Sequence, residues 1–170
     1  SILLVGGGGH CIACIDVIEA EGVYDIRGVV SATVSTEKLM GYPAIGTDND
    51  LPQLLKSSNL ALVTVGQVKN PKIRIRLFDL LKHLGAQLPV IVSPKGYLSK
   101  HSLIGEGSIV MHRAVVNAGA KIGKNCIVEK GAIIHNNTII GSNCHIKSGA
   151  IIGGECFSFE RENNKTFFPS

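Results

Sequence analysis

The sequence predicts a small α/β domain with a parallel sheet, followed by a solenoid of six-residue repeats. Two observations carry this. Short apolar runs alternate with helical patterns up to about residue 91, and from Ile104 an aliphatic residue returns at every sixth position without a slip. A third agrees with both: glycine makes up 20 of 170 residues against a usual share of roughly 7%, aromatics only 5%, and tryptophan is absent. That composition suits tight, repetitive backbone better than an aromatic core.

The elements follow in order. "SILLV" is an apolar run stopped by four glycines, and "HCIACIDVIEAEG" has Ile12, Ile15, Val17 and Ile18 near helical spacing up to Gly22, so a strand, a glycine loop and a helix are expected. "IRGVVSA" reads as a strand, "GYPAIG" as a turn-rich connection, "DNDLPQLLKSS" as a short helix and "LALVTVG" as a buried strand. "NPKIRIRLFDLLKHLG" reads as a helix with Pro71 near its start and Gly85 at its C-cap, and "PVIVS" closes the series. Strands alternating with helices imply a parallel sheet covered on both faces.

The texture changes from about Val92. The six-residue register runs through Ile104, Val110, Val116, Ile122, Val128, Ile134, Ile140, Ile146 and Ile152. Four positions after each stand Ser108, Ala114, Ala120, Cys126, Ala132, Thr138, Cys144, Ala150 and Cys156, all small. One aliphatic and one small inward residue per six suit a narrow coil whose stacked turns share a core. The expected division is 1–91 for a Rossmann-like sheet domain, 92–157 for the coil and 158–170 for a loop or truncated tail.

A net charge of +4, spread along the chain without a basic block, makes nucleic acid a poor first guess and fits a small polyanionic ligand equally well. No basic n-region precedes a cleavable apolar segment, and no apolar run approaches the roughly 20 residues that span a bilayer. A cytoplasmic protein without a membrane partner is expected. Five cysteines, an odd number, suggest reduced thiols and no disulfide framework.

The motif "GGGGH", Gly6 to His10, lets backbone approach a ligand at a helix N-terminus, where amide donors and the helix dipole favour phosphate; lone glycine loops also serve as mere tight turns. The dinucleotide fingerprint is incomplete. Gly6 and Gly8 fit its first two glycines, Cys11 stands at the third, and Ser31 and Ala32 stand where an acidic residue would end the second strand, which argues against a nicotinamide cofactor. Cys11 and Cys14 form a CxxC with redox and zinc readings, yet no second pair accompanies it, so packing is the expected role and no metal is expected. His135 follows and His145 precedes an aliphatic core position, so both should point out of the coil. His83, His101 and His112 read as surface residues.

The segment "VVNAGAKIGKNCIVEKGAIIHNNTIIGSNCHIKSGA", with the "GGGGH" loop and the "GYPAIG" and "DNDL" connection, closely resembles the nucleotide-sugar N-acetyltransferases and sialic-acid O-acetyltransferases of bacterial glycan pathways, over nearly the whole chain. The resemblance implies a left-handed parallel β-helix with three hexapeptides per turn, so that 104–157 would supply three turns. It implies acetyl-CoA as co-substrate, held between subunits of a homotrimer, and a UDP-linked amino-deoxy sugar on the sheet domain. It makes His135 the general base, places His145 by the thioester, makes the Gly154 amide an oxyanion donor, and sets His10, with Gly6, Gly7, Gly8 and Gly9, against the acceptor. The chemistry agrees: acetyl transfer from a thioester to an amine needs a proton acceptor that titrates near neutrality and a positioned donor for the developing oxyanion. Lys124 and Lys147 could meet CoA phosphates and read equally well as solvated charges.

The sequence departs from the family pattern in places. Asn136 stands where relatives commonly place an acidic residue after the base; it can still hold a tautomer as a hydrogen-bond acceptor but stabilises an imidazolium less. Ser31 and Ala32 replace an acidic pair that contacts the base in relatives. The end, "GGECFSFERENNKTFFPS", leaves the register after Cys156 and resembles the loop that follows a similar coil in the UDP-3-O-acyl-glucosamine N-acyltransferases of lipid A synthesis. Relatives carry further coils there, and against them this chain reads as short. Two other functions stay open on sequence: a longer-chain N-acyltransferase of the lipid A type, and a truncated member that binds nucleotide sugar or oligomerises without catalysis.

Overall fold

The computed structural model describes residues 1–32, 37–67 and 70–154, with the backbone of 160–162 and 165–167. β1 (Ile2–Val5) leads through the glycine loop into α1 (Gly9–Glu21), which ends at Gly22 in the left-handed conformation. β2 (Ile26–Val30), β3 (Ala44–Gly46), a 3₁₀ turn at Asp48–Asp50, α2 (Leu51–Leu54), β4 (Leu60–Val63) and α3 (Lys72–His83) complete the first half. The sheet is parallel in the order β3-β2-β1-β4.

Alternation along β1 divides the core. Ile2 and Leu4 face α1 and pack with Cys11, Cys14, Ile15 and Ile18, while Leu3 and Val5 face the other layer, with Leu51, Leu77 and Leu81. Cys11 and Cys14 are wholly buried, which fits packing, and burial pushes both thiols above their usual pKa. "GYPAIG" is more than a turn: its last residues form β3, the edge strand, because Val29 and Val30 offer a free edge to Ala44 and Gly46.

Eleven two-residue strands then wind into the coil: β5 (Ile91–Val92), β6 (Tyr97–Leu98), β7 (Leu103–Ile104), β8 (Ile109–Val110), β9 (Val115–Val116), β10 (Lys121–Ile122), β11 (Ile127–Val128), β12 (Ile133–Ile134), β13 (Ile139–Ile140), β14 (His145–Ile146) and β15 (Ile151–Ile152). They stack in register into three parallel faces, β14-β11-β8-β5, β15-β12-β9-β6 and β13-β10-β7. The fold is a left-handed parallel β-helix with three hexapeptides to the turn. Two expectations are corrected here. "PVIVS" does not join the sheet: its strand, β5, pairs with β8 and opens the coil. The register begins two hexads before Ile104, since Val92 and Leu98 also line the coil core.

Corners repeat as regularly as faces. Gly107, Arg113, Gly119, Asn125, Gly131, Asn137, Asn143 and Gly149, six residues apart, all have positive φ, which explains the glycine and asparagine at these positions. Val110, Val116, Val128 and Ile134 and the small residues Ala114, Ala120, Cys126 and Ala132 are fully buried inside. Cys156 and most of the expected 158–170 tail lie outside the described residues; a backbone hairpin pairs 160–162 with 165–167.

One outward column joins the two halves. Ile91, Ile109 and Ile127, successive rungs of one face, are 0% exposed because α1 lies over them with Cys11, Cys14, Ile15 and Ile18. His112 contributes to the join, its Nε2 2.7 Å from Asp16 Oδ2 on α1 and its Nδ1 hydrogen-bonded to Ser93, so it is not the plain surface residue its sequence suggested. On the other side Lys82 of α3 and Lys124 both reach Glu106, at 2.8 and 2.9 Å.

Candidate active site

The glycine loop is shaped by what a side chain would meet. Gly6 has φ +120°, and a Cβ there would lie 2.4 Å from Val65 Cγ2 and 2.9 Å from the Val65 nitrogen; at Gly8 and Gly9 a Cβ would meet nothing. The first glycine therefore lets the loop press on the end of β4, and the last two leave the ground above the α1 N-terminus open. A cavity of about 620 Å³ occupies it, lined by Gly8, Gly9, His10, Val65, Gly66, Asn70 and Ile73. A second, of about 250 Å³, shares Gly8 with it and runs along the carboxyl ends of the strands past Ser31, Ala32, Asp48 and Arg76. Arg76 Nη2 and Asp48 Oδ2 are 2.8 Å apart on its wall. Open α/β sheets bind ligands at this edge.

His10 sits in the first turn of α1, with its Cβ against Gly66 and a buried Nε2 that makes no hydrogen bond among the described residues. Burial, reinforced by the Arg74 guanidinium, pushes its pKa down to about 4, so the ring is neutral at pH 7. Protonating it therefore favours the unfolded chain. Its contribution to stability is complete above pH 6.5 and declines as pH falls from there toward 4. Urea midpoints measured at pH 7 and pH 5 are expected to fall in the native chain and to fall less in His10→Gln; equal slopes would mean that His10 does not cause the loss.

Arg74, on α3, was not foreseen. It is 0% exposed, and its guanidinium donates to the carbonyls of Val63 (2.7 Å), Val65 (3.0 Å), Gly107 (3.4 Å) and Asn125 (3.4 Å), two from the sheet side and two from coil corners. Burial lowers its pKa to about 10, which leaves it charged.

The structure separates the predicted residues into two groups. His145 occupies the fourth rung of the column Ile91, Ile109, Ile127. It points out of the coil, as expected, but its side chain is only 9% exposed; Nε2 lies 2.8 Å from Glu129 Oε1, and Lys147 Nζ lies 3.3 Å from Nδ1. Glu129, His145 and Arg74 all act electrostatically on His10. His135 lies at another corner, after β12, with the face of β13 between it and His145. Gly154 is beside it: a Cβ there would sit 3.5 Å from His135 Nε2. Among the described residues no hydrogen bond links Asn136 to His135, and Asn136 is exposed. Lys124 is held by Glu106.

Glu129 was missed because it stands 16 residues from its partner in no known motif; the column Met111, Glu129, Lys147, one turn apart, was the available signal. Among the described residues no group of three His, Cys, Asp or Glu is placed to hold a metal ion, and no helix is long and apolar enough to cross a membrane.

A sheet domain with a glycine-loop cavity, seated on a hexapeptide coil that carries exposed and paired histidines, defines an acyltransferase of the hexapeptide-repeat class. Residues 1–81 match the PglD N-terminal domain family, and residues 101–136 match the bacterial transferase hexapeptide (six repeats) family. No curated protein matches the chain in sequence. Among solved structures, the acetyltransferase domain of PglB from Neisseria gonorrhoeae, in complex with acetyl coenzyme A, is 32% identical with a TM-score of 0.75, over 88% of this chain and 71% of that one. PerB from Caulobacter crescentus, in complex with CoA and GDP-perosamine, is 28% identical with a TM-score of 0.77, over 85% of this chain and 67% of that one. A variant of the Caulobacter protein described as perosamine N-acetyltransferase gives a TM-score of 0.78 at the same identity. The chain belongs to the family of hexapeptide-repeat nucleotide-sugar N-acetyltransferases.

Proposed function

We propose that the chain transfers an acetyl group from acetyl-CoA to the amino group of a nucleotide-linked deoxy sugar. The observation that carries this reading is the open cavity over Gly8, Gly9 and the α1 N-terminus with His10 at its edge: backbone amides and a helix dipole suit a diphosphate, and the glycines leave room for it. The acceptor amine attacks the thioester carbonyl directly. His135 takes a proton from the attacking nitrogen, and the Gly154 amide beside it donates to the developing oxyanion. No covalent enzyme intermediate is needed.

The donor site lies between subunits of a homotrimer in this reading. The face of β6, β9, β12 and β15 presents Tyr97, Val115, Ile133 and Ile151 outward as one apolar column with no covering element among the described residues, and Tyr97 and Ile151 are 57% and 62% exposed. Such a stripe marks an interaction surface. Ile133→Glu is expected to convert a trimer to monomer in analytical ultracentrifugation; a native chain that sediments as a monomer would refute the assembly.

The decisive assay is thiol release from acetyl-CoA with a panel of UDP- and GDP-linked amino sugars. The UDP arm tests the acceptor implied by the family resemblance, and the GDP arm tests the kind carried by the Caulobacter relative. Release with an amino sugar of either kind supports the reading; release with none, in a trimeric preparation, overturns it.

A further inference from the structure

α3 carries two arginines two residues apart, and the helix turns by about 200° between them. Arg74 therefore faces the coil corners, whereas Arg76 faces away from them, where its Nη2 donates to Asp48 Oδ2 at 2.8 Å on the wall of the 250 Å³ cavity. The two side chains are 59% and 30% exposed, and an ion pair so open to water contributes little to stability. Nor does the local turn need Asp48. The 3₁₀ turn is closed by Asp50, whose Oδ2 accepts from Thr47 N at 2.8 Å and from Thr47 Oγ1 at 2.9 Å. Among the described residues the Asp48 carboxylate has Arg76 as its only partner, through one oxygen, which leaves Oδ1 and the other guanidinium N–H groups to a ligand.

The course of the two cavities decides which part of a nucleotide sugar meets this pair. The larger holds His10, next in sequence to Cys11 in the cluster that α1 shares with Ile109 and Ile127 of the coil. The smaller runs the other way, past the end of β2 to the turn at Asp48. In the acetyltransferase reading the amine must come to the coil, so the amino sugar takes the larger cavity, the diphosphate lies at Gly8, common to both, and the base takes the smaller. Val30, Val65, Ile73 and Leu77 give the smaller cavity apolar walls for a flat ring, and Asp48 is the only carboxylate lining it among the described residues.

We propose that Asp48 and Arg76 read the base of the acceptor and select guanine, so that the substrate is an amino sugar linked to guanosine diphosphate. This rests on the acetyltransferase reading above and narrows it. Guanine presents along one edge the O6 acceptor, then the N1–H and N2–H donors. Arg76 donates to O6, Asp48 Oδ2 accepts N1–H beside it, and Oδ1 accepts N2–H. Uracil offers O4 and N3–H to the same groups but sets the lone pairs of O2 against Oδ1. Adenine is worse placed, with an amino group against the guanidinium and the N1 lone pair against the carboxylate. Each wrong base therefore meets a repulsive contact as well as losing an attractive one.

The test is calorimetry with GDP, UDP and inosine diphosphate, whose base is guanine without the 2-amino group, on the native chain and on Asp48→Ala. The native chain is expected to bind GDP about tenfold or more tightly than either of the others. In D48A the difference between GDP and inosine diphosphate should vanish, while UDP, which loses one contact and one repulsion, changes least. UDP bound as tightly as GDP, or GDP and inosine diphosphate bound alike, by the native chain would overturn the guanine assignment. Thiol release with a UDP-linked amino sugar in the same preparation would then leave the acetyltransferase reading standing. A D48A that weakens all three nucleotides by one common factor would make Asp48 structural and overturn the assignment too. Binding of none of the three would overturn it together with the nucleotide reading of the cavity.

Discussion

His135→Ala is expected to lower kcat/KM for acetyl transfer by about 100-fold or more, the usual contribution of a general base, without changing the melting temperature appreciably. The side chain lies at a corner of the coil beside Gly154, where a Cβ would meet Nε2 at 3.5 Å in ordinary contact, and it lines no hydrophobic core. Truncation therefore removes the proton acceptor without leaving a cavity in the stack. The check is steady-state thiol release with thermal unfolding on the same preparation. Unchanged turnover would remove His135 from the mechanism. Rescue of the variant by added imidazole would support the assignment.

Arg74→Ala is expected to cost about 3–5 kcal/mol of stability, among the largest single losses available in this chain. The guanidinium is 0% exposed and satisfies four carbonyls drawn from both halves of the molecule. Removing it strands those acceptors and opens a void where α3, the end of β4 and the coil corners meet. Because the pKa of Arg74 stays near 10, the loss should hardly vary between pH 6 and 8. Denaturant unfolding of both chains measures it. A loss below about 1 kcal/mol would mean that water replaces the side chain at little cost. The same substitution removes the positive charge that helps keep His10 neutral, so the His10 pKa should rise.

Much of this architecture was legible from spacing, because a solenoid writes its geometry into the sequence. An aliphatic residue every six positions fixes the inward line of the coil, and the small residue four further on fixes the corner beneath it. The handedness was not in the spacing at all and came from family likeness. The errors fell at the edges of patterns. Val92 and Leu98 obey the six-residue register too, so the repeat extends two hexads before Ile104, inside the expected 92–157 coil. Residues 44–46 form a strand only because β2 offers them an edge, a tertiary cause that local composition does not record. Arg74 sits in "KIRIRLF", where alternating charge reads as a solvated helix face, and only the carbonyls converging from two domains make its burial tolerable. At the site, the glycine loop and the histidines could be read directly, whereas the Glu129–His145 pair depends on the 18-residue turn bringing together residues 16 apart.

The helix seat on the coil has a consequence for how such a chain can change length. Ile91, Ile109, Ile127 and His145 share a face because exactly one turn, or eighteen residues, separates neighbours in the column. Deleting a single hexapeptide between Ile127 and His145 would keep the inward register and therefore a sound core, yet it would carry the imidazole round to the face of β7, β10 and β13, away from α1 and His10. Insertions and deletions of six thus keep the inward register but misplace the imidazole, while those of eighteen preserve the face and move the imidazole up or down by one storey. Drift in repeat number is free only beyond the last rung that the helix and its first histidine can reach.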